Sequence, residues 1–212
     1  TFDVEEEPPP PEEPPPPPED GGSAAWYPYL DGPAFVDALA TGQSPRAVLS
    51  VLPRHEPERA VAQAVRATVR SGRGAVVCVP DVRDVARWDA VFTEVLGEGQ
   101  HVVLTGAQKP ATRYRSFLRV VRGEVPVVLG TRAAAYAPVH DLGLVALWDD
   151  GDDLYAEPRA PYPHAREVLL LRAVQQSTGV LLAGYARTAE AQSLVESRGC
   201  VSLGGDQAAR RR

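Results

Sequence analysis

Uninterrupted apolar runs that alternate with helix-spaced segments constrain this chain more than any other feature. Residues 46 to 52 (R-A-V-L-S-V-L), 74 to 79 (G-A-V-V-C-V), 101 to 104 (H-V-V-L), 125 to 129 (V-P-V-V-L), 143 to 148 (G-L-V-A-L-W) and 179 to 183 (G-V-L-L-A) read as buried strands. Strands without polar alternation are covered on both faces, as in a parallel sheet between two helical layers. Between them, apolar residues recur three and four apart: Val61, Ala64, Val65 and Val69 within 57 to 71, and Val85, Trp88, Val91, Phe92 and Val95 within 83 to 96. Further helices are expected near 111 to 122, 164 to 176 and 187 to 197, with a short one from Ala34 to Leu39 ending near Gly42. The expected fold is α/β, a three-layer sandwich whose ligand-binding loops follow the carboxyl ends of the strands.

Charge divides the chain in two. Residues 1 to 22 hold eight acidic side chains (Asp3, Glu5, Glu6, Glu7, Glu12, Glu13, Glu19, Asp20), many prolines and no basic group. They bury too little to offset ordering entropy and read as a disordered, acidic, proline-rich linker. The remainder has 20 acidic against 22 basic residues, a balance that permits nucleic-acid contact without requiring it. Residues 23 to 45 read as a lead-in with one short helix, and 46 to 212 as the lobe, truncated at its C-terminal end. The chain has no Met, even at position 1, and is expected to be part of a longer protein. Lys109 is the one lysine, so arginine dominates in a pattern that suggests a high-GC genome.

Cys78 and Cys200 lack C-x-x-C spacing, which argues against a disulfide framework or a zinc site in this segment. Cys78, inside an apolar run, reads as a small buried hydrophobe. No apolar stretch is long enough to span a membrane and no signal peptide is visible, so a cytoplasmic location is expected.

The loop after the first strand, Pro53-Arg54-His55-Glu56-Pro57-Glu58, stands where a phosphate-binding loop belongs. Such a loop needs glycines to expose backbone N–H groups, a Lys for the terminal phosphates and Ser or Thr for Mg²⁺. This one has none of them. Glu56 and Glu58 suit a helix N-terminus and repel a triphosphate, and Pro57 suits a first helical turn.

The later loops carry, in order, V-P-D-V (79 to 82), G-T-R-A-A-A-Y-A-P-V (130 to 139), D-L-G-L-V-A-L (141 to 147) followed by W-D-D-G-D-D, then P-H-A-R-E (163 to 167). Their sequence and spacing resemble the first helicase lobe of the PriA family of replication restart proteins, which runs V-P-E-I, G-T-R-S-A-L-F-x-P-F, N-L-G-x-I-x-x-D-E-E-H-D, R-Y-H-A-R-D and G-S-A-T-P. The likeness covers about residues 46 to 197. The W-D-D-G-D-D string and the missing phosphate loop resemble a divergent actinobacterial branch. The resemblance implies a RecA-like, P-loop NTPase-type sheet. It implies a parent protein that binds forked or single-stranded DNA at stalled or abandoned forks, works with other primosome and replisome proteins and is associated with the nucleoid. It also implies ATP and Mg²⁺ binding in this lobe for intact family members, and a zinc module and second lobe after residue 212.

The departures fall on the catalytic positions. Aligned with the family, Pro57 replaces the phosphate-binding Lys and Glu58 the Mg²⁺-binding Thr. Trp148 replaces the metal-holding Asp, Asp149 the water-activating Glu and Gly151 the His. Ala186-Arg187-Thr188 stands for A-T-P. No catalytic residue and no cofactor is therefore assigned to this chain, since these groups supply the electrostatic stabilisation of phosphoryl transfer. Asp149, Asp150, Asp152 and Asp153 read as a solvated acidic loop rather than a cation site, and Trp148 as a plug in the space a nucleotide would use. Arg113, Arg115, Thr131 and Arg132 are the candidate nucleic-acid contacts, with an exposed arginine face and a structural role for Thr131-Arg132 as the alternatives. His164 and Arg166 read as a structural pair bonded to the acidic loop. Three functions remain open at this point: a non-hydrolysing DNA-binding lobe, an active ATP-dependent 3'-5' helicase with atypical motifs, and a protein-interaction scaffold.

Overall fold

The computed structural model describes residues 23 to 205. The acidic segment 1 to 22 and the last seven residues lie outside the described region. A 3₁₀ turn at Ala24–Trp26 leads into α1 (Gly32–Ala40), β1 (Arg46–Ser50), α2 (Pro57–Arg70), β2 (Gly74–Cys78), α3 (Val82–Leu96), β3 (His101–Leu104) and α4 (Pro110–Val121). Then follow β4 (Val127–Gly130), a 3₁₀ turn Arg132–Tyr136, β5 (Leu142–Trp148), a second such turn Asp153–Tyr155, α5 (Ala165–Gln175), β6 (Gly179–Gly184), α6 (Ala189–Glu196) and β7 (Val201–Leu203). The sheet order is β3-β4-β2-β5-β6-β1-β7 and every pairing is parallel.

Alternate residues of each strand feed two separate cores, which is why the strands read as unbroken apolar runs. On one face Leu49, Val77, Leu129, Ala146 and Leu181 pack under α1, α2 and α3; on the other Val48, Val76, Val128, Leu147 and Leu182 pack under α5 and α6. The lead-in belongs to the first core. Trp26 and Tyr29 are buried there with Phe35 and Leu39, and the Trp26 indole N–H donates to the Ala60 carbonyl at 2.9 Å.

Local chemistry sets the boundaries. α2 and α4 start on prolines, whose missing N–H costs nothing at a first turn. Asp81 caps α3 by accepting from the amides of Arg83 and Asp84, and Thr188 caps α6 by accepting from Ala191. This cap starts α6 two residues later than the periodicity suggests. β4 begins after Pro126 rather than at Val125, because proline has no N–H for the ladder. Gly130 ends β4 where a Cβ would run into the Leu104 carbonyl and the Ala134 side chain, so the close approach of β3 to the following turn requires glycine.

Candidate functional site

The start of the loop after β1 is packed by the protein itself, while Arg54, His55 and Glu56, with Arg59, line a cavity of about 270 Å³ against the lead-in. Val51 and Leu52 are buried, and the Leu52 amide donates to the Tyr29 hydroxyl at 3.3 Å. The Tyr29 ring stands edge-on to His55, with centroids 5.6 Å apart. Burial raises the Tyr29 pKa; the Leu52 hydrogen bond opposes this and the nearby Tyr185 adds to it. Tyr185, after β6, meets Trp148 edge-on at 5.2 Å, and Trp148 in turn contacts Trp88 of α3 at 5.7 Å. Aromatic side chains thus cover the ends of β1, β6 and β5. Pro57 is buried at the first turn of α2, and Glu58 is directed to Arg87 at 3.8 Å. The Arg187 guanidinium donates to the hydroxyls of Ser50 and Ser202, tying the ends of β1 and β7.

The acidic loop after β5 is anchored at its far end by the buried Tyr155, whose hydroxyl donates to the Trp148 and Cys78 carbonyls at 2.6 and 3.1 Å, and in its middle by Asp150. Asp150 is 4% exposed and pairs with Arg166 at 3.1 Å; the Thr188 hydroxyl donates to the same carboxylate at 2.7 Å. Arg166 also reaches Glu167 and Glu190. Burial works against its charge, but the bonds to Glu167 and Asp150 outweigh this and raise its pKa. His164 caps α5 with Nδ1 accepting from the Arg166 amide at 3.1 Å. Burial and the Arg166 charge lower the His164 pKa and favour the neutral ring that this acceptor role needs. Asp149 is raised, first by burial and then by Asp152, Asp150 and Asp84. Among the described residues, no group of His, Cys, Asp and Glu has a metal-binding arrangement.

The other half of the sheet is open. Two adjoining cavities of about 480 and 450 Å³ lie over the ends of β2, β3 and β4 and share Gly106. The first is lined by Asp81, Thr131, Arg132, Tyr136 and Glu157, among others, and the second by Thr105, Arg113, Tyr114 and Phe117. Arg113 lines the second cavity, and Thr131 and Arg132 line the first. Arg115 is exposed on the outer side of α4 and lines neither cavity. Arg132 is engaged: it donates to the carbonyls of Leu154 and Ala156 at 3.0 and 2.6 Å and pairs with Glu157 at 2.9 Å. Arg113, Arg115 and Lys109 have no ion pair within the described region. Tyr114, Phe117 and Tyr136 are 63%, 40% and 58% exposed, a cost in apolar hydration that a folded core would avoid. These aromatics were not singled out by the arginine count, although the interleaving R-Y-R-S-F over 113 to 117 carries the signal.

With this geometry in view, the relatives decide the family. The chain is 47% identical over 175 residues to a protein of Mycobacterium leprae named "Probable replication restart protein PriA", a match that covers 82% of this chain and 27% of that protein. The chain is PriA-like. A Mycobacterium tuberculosis protein of the same name is 46% identical with the same coverage. The chain therefore spans about a quarter of the length of these PriA relatives. No family model matches the chain. A hypothetical ATP-dependent RNA helicase from Sulfolobus tokodaii superposes with a TM-score of 0.57 at 10% identity, covering 81% of this chain and 50% of that one, which fixes the fold as RecA-like.

Proposed function

We propose that this segment is a non-hydrolysing lobe that contacts DNA, within a replication restart protein that binds stalled or abandoned forks and helps reassemble the replisome. The observation that carries the reading is the contrast between the two halves of the sheet end. Over β1, β6 and β5, where the resemblance would put a triphosphate and its metal, Tyr29, Trp148 and Tyr185 pack over the strand ends, no Lys, Ser or Thr stands in the loop after β1, and the cavity beside that loop carries Glu56. Over β2, β3 and β4, Arg113, without an ion pair among the described residues, stands beside exposed Tyr114 and Phe117 in an open groove. A cation for phosphate and aromatic faces for unstacked bases are the elements of sequence-tolerant single-strand binding.

Fluorescence anisotropy with single-stranded and forked oligonucleotides over a salt series tests it. Tyr114→Ala and Phe117→Ala should each weaken binding by about 5- to 100-fold, the equivalent of one lost base stack. Arg113→Ala should flatten the salt dependence by about 0.7 in log–log slope. Because all three side chains are exposed, urea midpoints should barely move. Salt-insensitive or absent binding by the unsubstituted chain would sink the proposal.

A further inference from the structure

The groove along α4 has an unusual electrostatic setting. Residues 105 to 123 contain five basic side chains (Lys109, Arg113, Arg115, Arg119, Arg122) and no acidic one. Arg119 and Arg122 share Glu124 at 3.8 and 3.6 Å, whereas Lys109, Arg113 and Arg115 in the N-terminal half of the helix have no ion-pair partner among the described residues. Its wall is apolar and aromatic: Leu104, Pro110, Tyr114, Phe117 and Ala133. Anionic character and flat apolar rings are what this surface would bind. Nucleic acid offers both, and so does one segment of this same chain.

Residues 1 to 22 combine eight carboxylates with nine prolines, seven of the carboxylates within four residues of a proline run. Proline rings pack on exposed tyrosine and phenylalanine faces, and the restricted φ of proline lowers the entropy lost on docking. Reach is sufficient. Ala25 is bonded to Gln63 of α2, which fixes the start of the described chain at the lobe's surface. The described chain starts on the α2 face and the α4 groove lies on the opposite face of the sheet; five strand spacings, about 24 Å, plus a layer on the order of 10 Å on each face, fall within the roughly 70 Å to which 22 residues extend.

We propose that the acidic, proline-rich segment 1 to 22 docks in the α4 groove in cis and competes there with nucleic acid. The contact itself stands on charge, aromatic exposure and reach; its regulatory consequence rests on the DNA reading given above. A tethered segment works at an effective concentration of about 1 mM, so an intrinsic Kd of about 0.1 mM weakens oligonucleotide binding roughly tenfold.

Two measurements on the full 212-residue chain test this. In the first, a nitroxide on Pro10→Cys reports position by NMR; Cys78 and Cys200 are buried, and burial pushes the Cys78 thiol up to about 12, so the new thiol is the one that labels. Amide signals of residues 106 to 117 should lose most of their intensity and recover at high salt. Changing all eight carboxylates to Asn or Gln in the labelled chain should restore them as well. In the second, the neutralised chain should bind an oligothymidine about tenfold more tightly than the native chain. Tighter binding without broadening at α4 means repulsion at a distance and overturns the docking. Broadening confined to another surface also overturns it. Broadening at α4 with no oligonucleotide bound by either chain leaves the docking intact and removes the DNA reading instead. Equal DNA affinity with no broadening removes the docking and leaves the DNA reading.

Discussion

Arg166 meets three carboxylates from a side chain that is 8% exposed: Asp150 at 3.1 Å, Glu167 at 3.1 Å and Glu190 at 3.2 Å. Of the three, Asp150 is the one buried alongside it. Glu167 and Glu190 are largely solvated, where ion pairs contribute little. Removing the arginine strands the Asp150 carboxylate with only the Thr188 hydroxyl. Arg166→Ala should therefore cost about 3–5 kcal/mol in urea unfolding, and Arg166→Lys an intermediate amount, because one ammonium lacks the guanidinium fork. Asp150→Asn should be milder, since the amide oxygen still accepts from Thr188. His164, one helical turn away in function, ties the same corner to pH. Its folded pKa lies below the ordinary value of 6.5 because the half-buried ring is partly desolvated and stands near the Arg166 charge, and the neutral ring caps α5. The unfolded chain therefore binds the proton more readily than the native one. Stability should be complete above pH 6.5 and fall as pH drops from there toward the lowered folded value, after which no further loss comes from this group. His164→Asn supplies a side-chain acceptor that does not titrate; its urea midpoint should change less between pH 7 and pH 5 than that of the native chain.

At the scale of elements, the end of β5 is a packing site. Trp148 is 5% exposed, lodged between Trp88 of α3 and Tyr185 of the loop after β6. Trp148→Asp, the carboxylate that the proposed family alignment would place there, removes a large buried ring and leaves a buried charge with no cation beside it among the described residues. The change should cost about 3–5 kcal/mol and should give no Mg²⁺-dependent nucleotide binding in calorimetry, since the loop after β1 still lacks its Lys and Thr. A variant that gained such binding would show that the site had been emptied by one residue alone. The strands and helices were legible in the sequence because both faces of each strand are buried and the helices show a regular apolar period. β7 was not: Val201, Ser202 and Leu203 form a three-residue edge strand with two exposed positions and no pattern of their own, and they are ordered by pairing with β1. The closure of the first loop was hidden for a related reason. Tyr29 and Trp26 reach across 23 and 34 positions to Leu52 and Ala60, and such contacts leave no local spacing to read. The arginine of the groove and its spacing from Tyr114 and Phe117 were visible in the sequence, but the groove itself depends on where α4 sits against Leu104 of β3 and Ala133.

For the whole molecule, the issue is what holds the lobe together in the place where a nucleotide usually does. In a nucleotide-dependent lobe, ligand binding adds stability as RT ln(1 + [L]/Kd), about 2.7 kcal/mol at a hundredfold excess over Kd. For a fold of this size that is a rise in Tm of roughly 5–10 °C. Here the same corner is spanned from four elements of the chain itself: Tyr29 from the lead-in, Trp88 from α3, Trp148 from β5 and Tyr185 after β6. Arg187 adds its bonds to Ser50 and Ser202. The stabilisation is intramolecular and so independent of ligand concentration. Thermal unfolding monitored by tryptophan fluorescence, with Trp26, Trp88 and Trp148 all in the core, should give the same Tm with and without millimolar Mg-ATP or Mg-ADP. An upward shift of several degrees that grows with the logarithm of nucleotide concentration would show an occupied site, and the lobe would then be a nucleotide sensor. A constant Tm is the outcome expected of a corner held by the chain's own side chains.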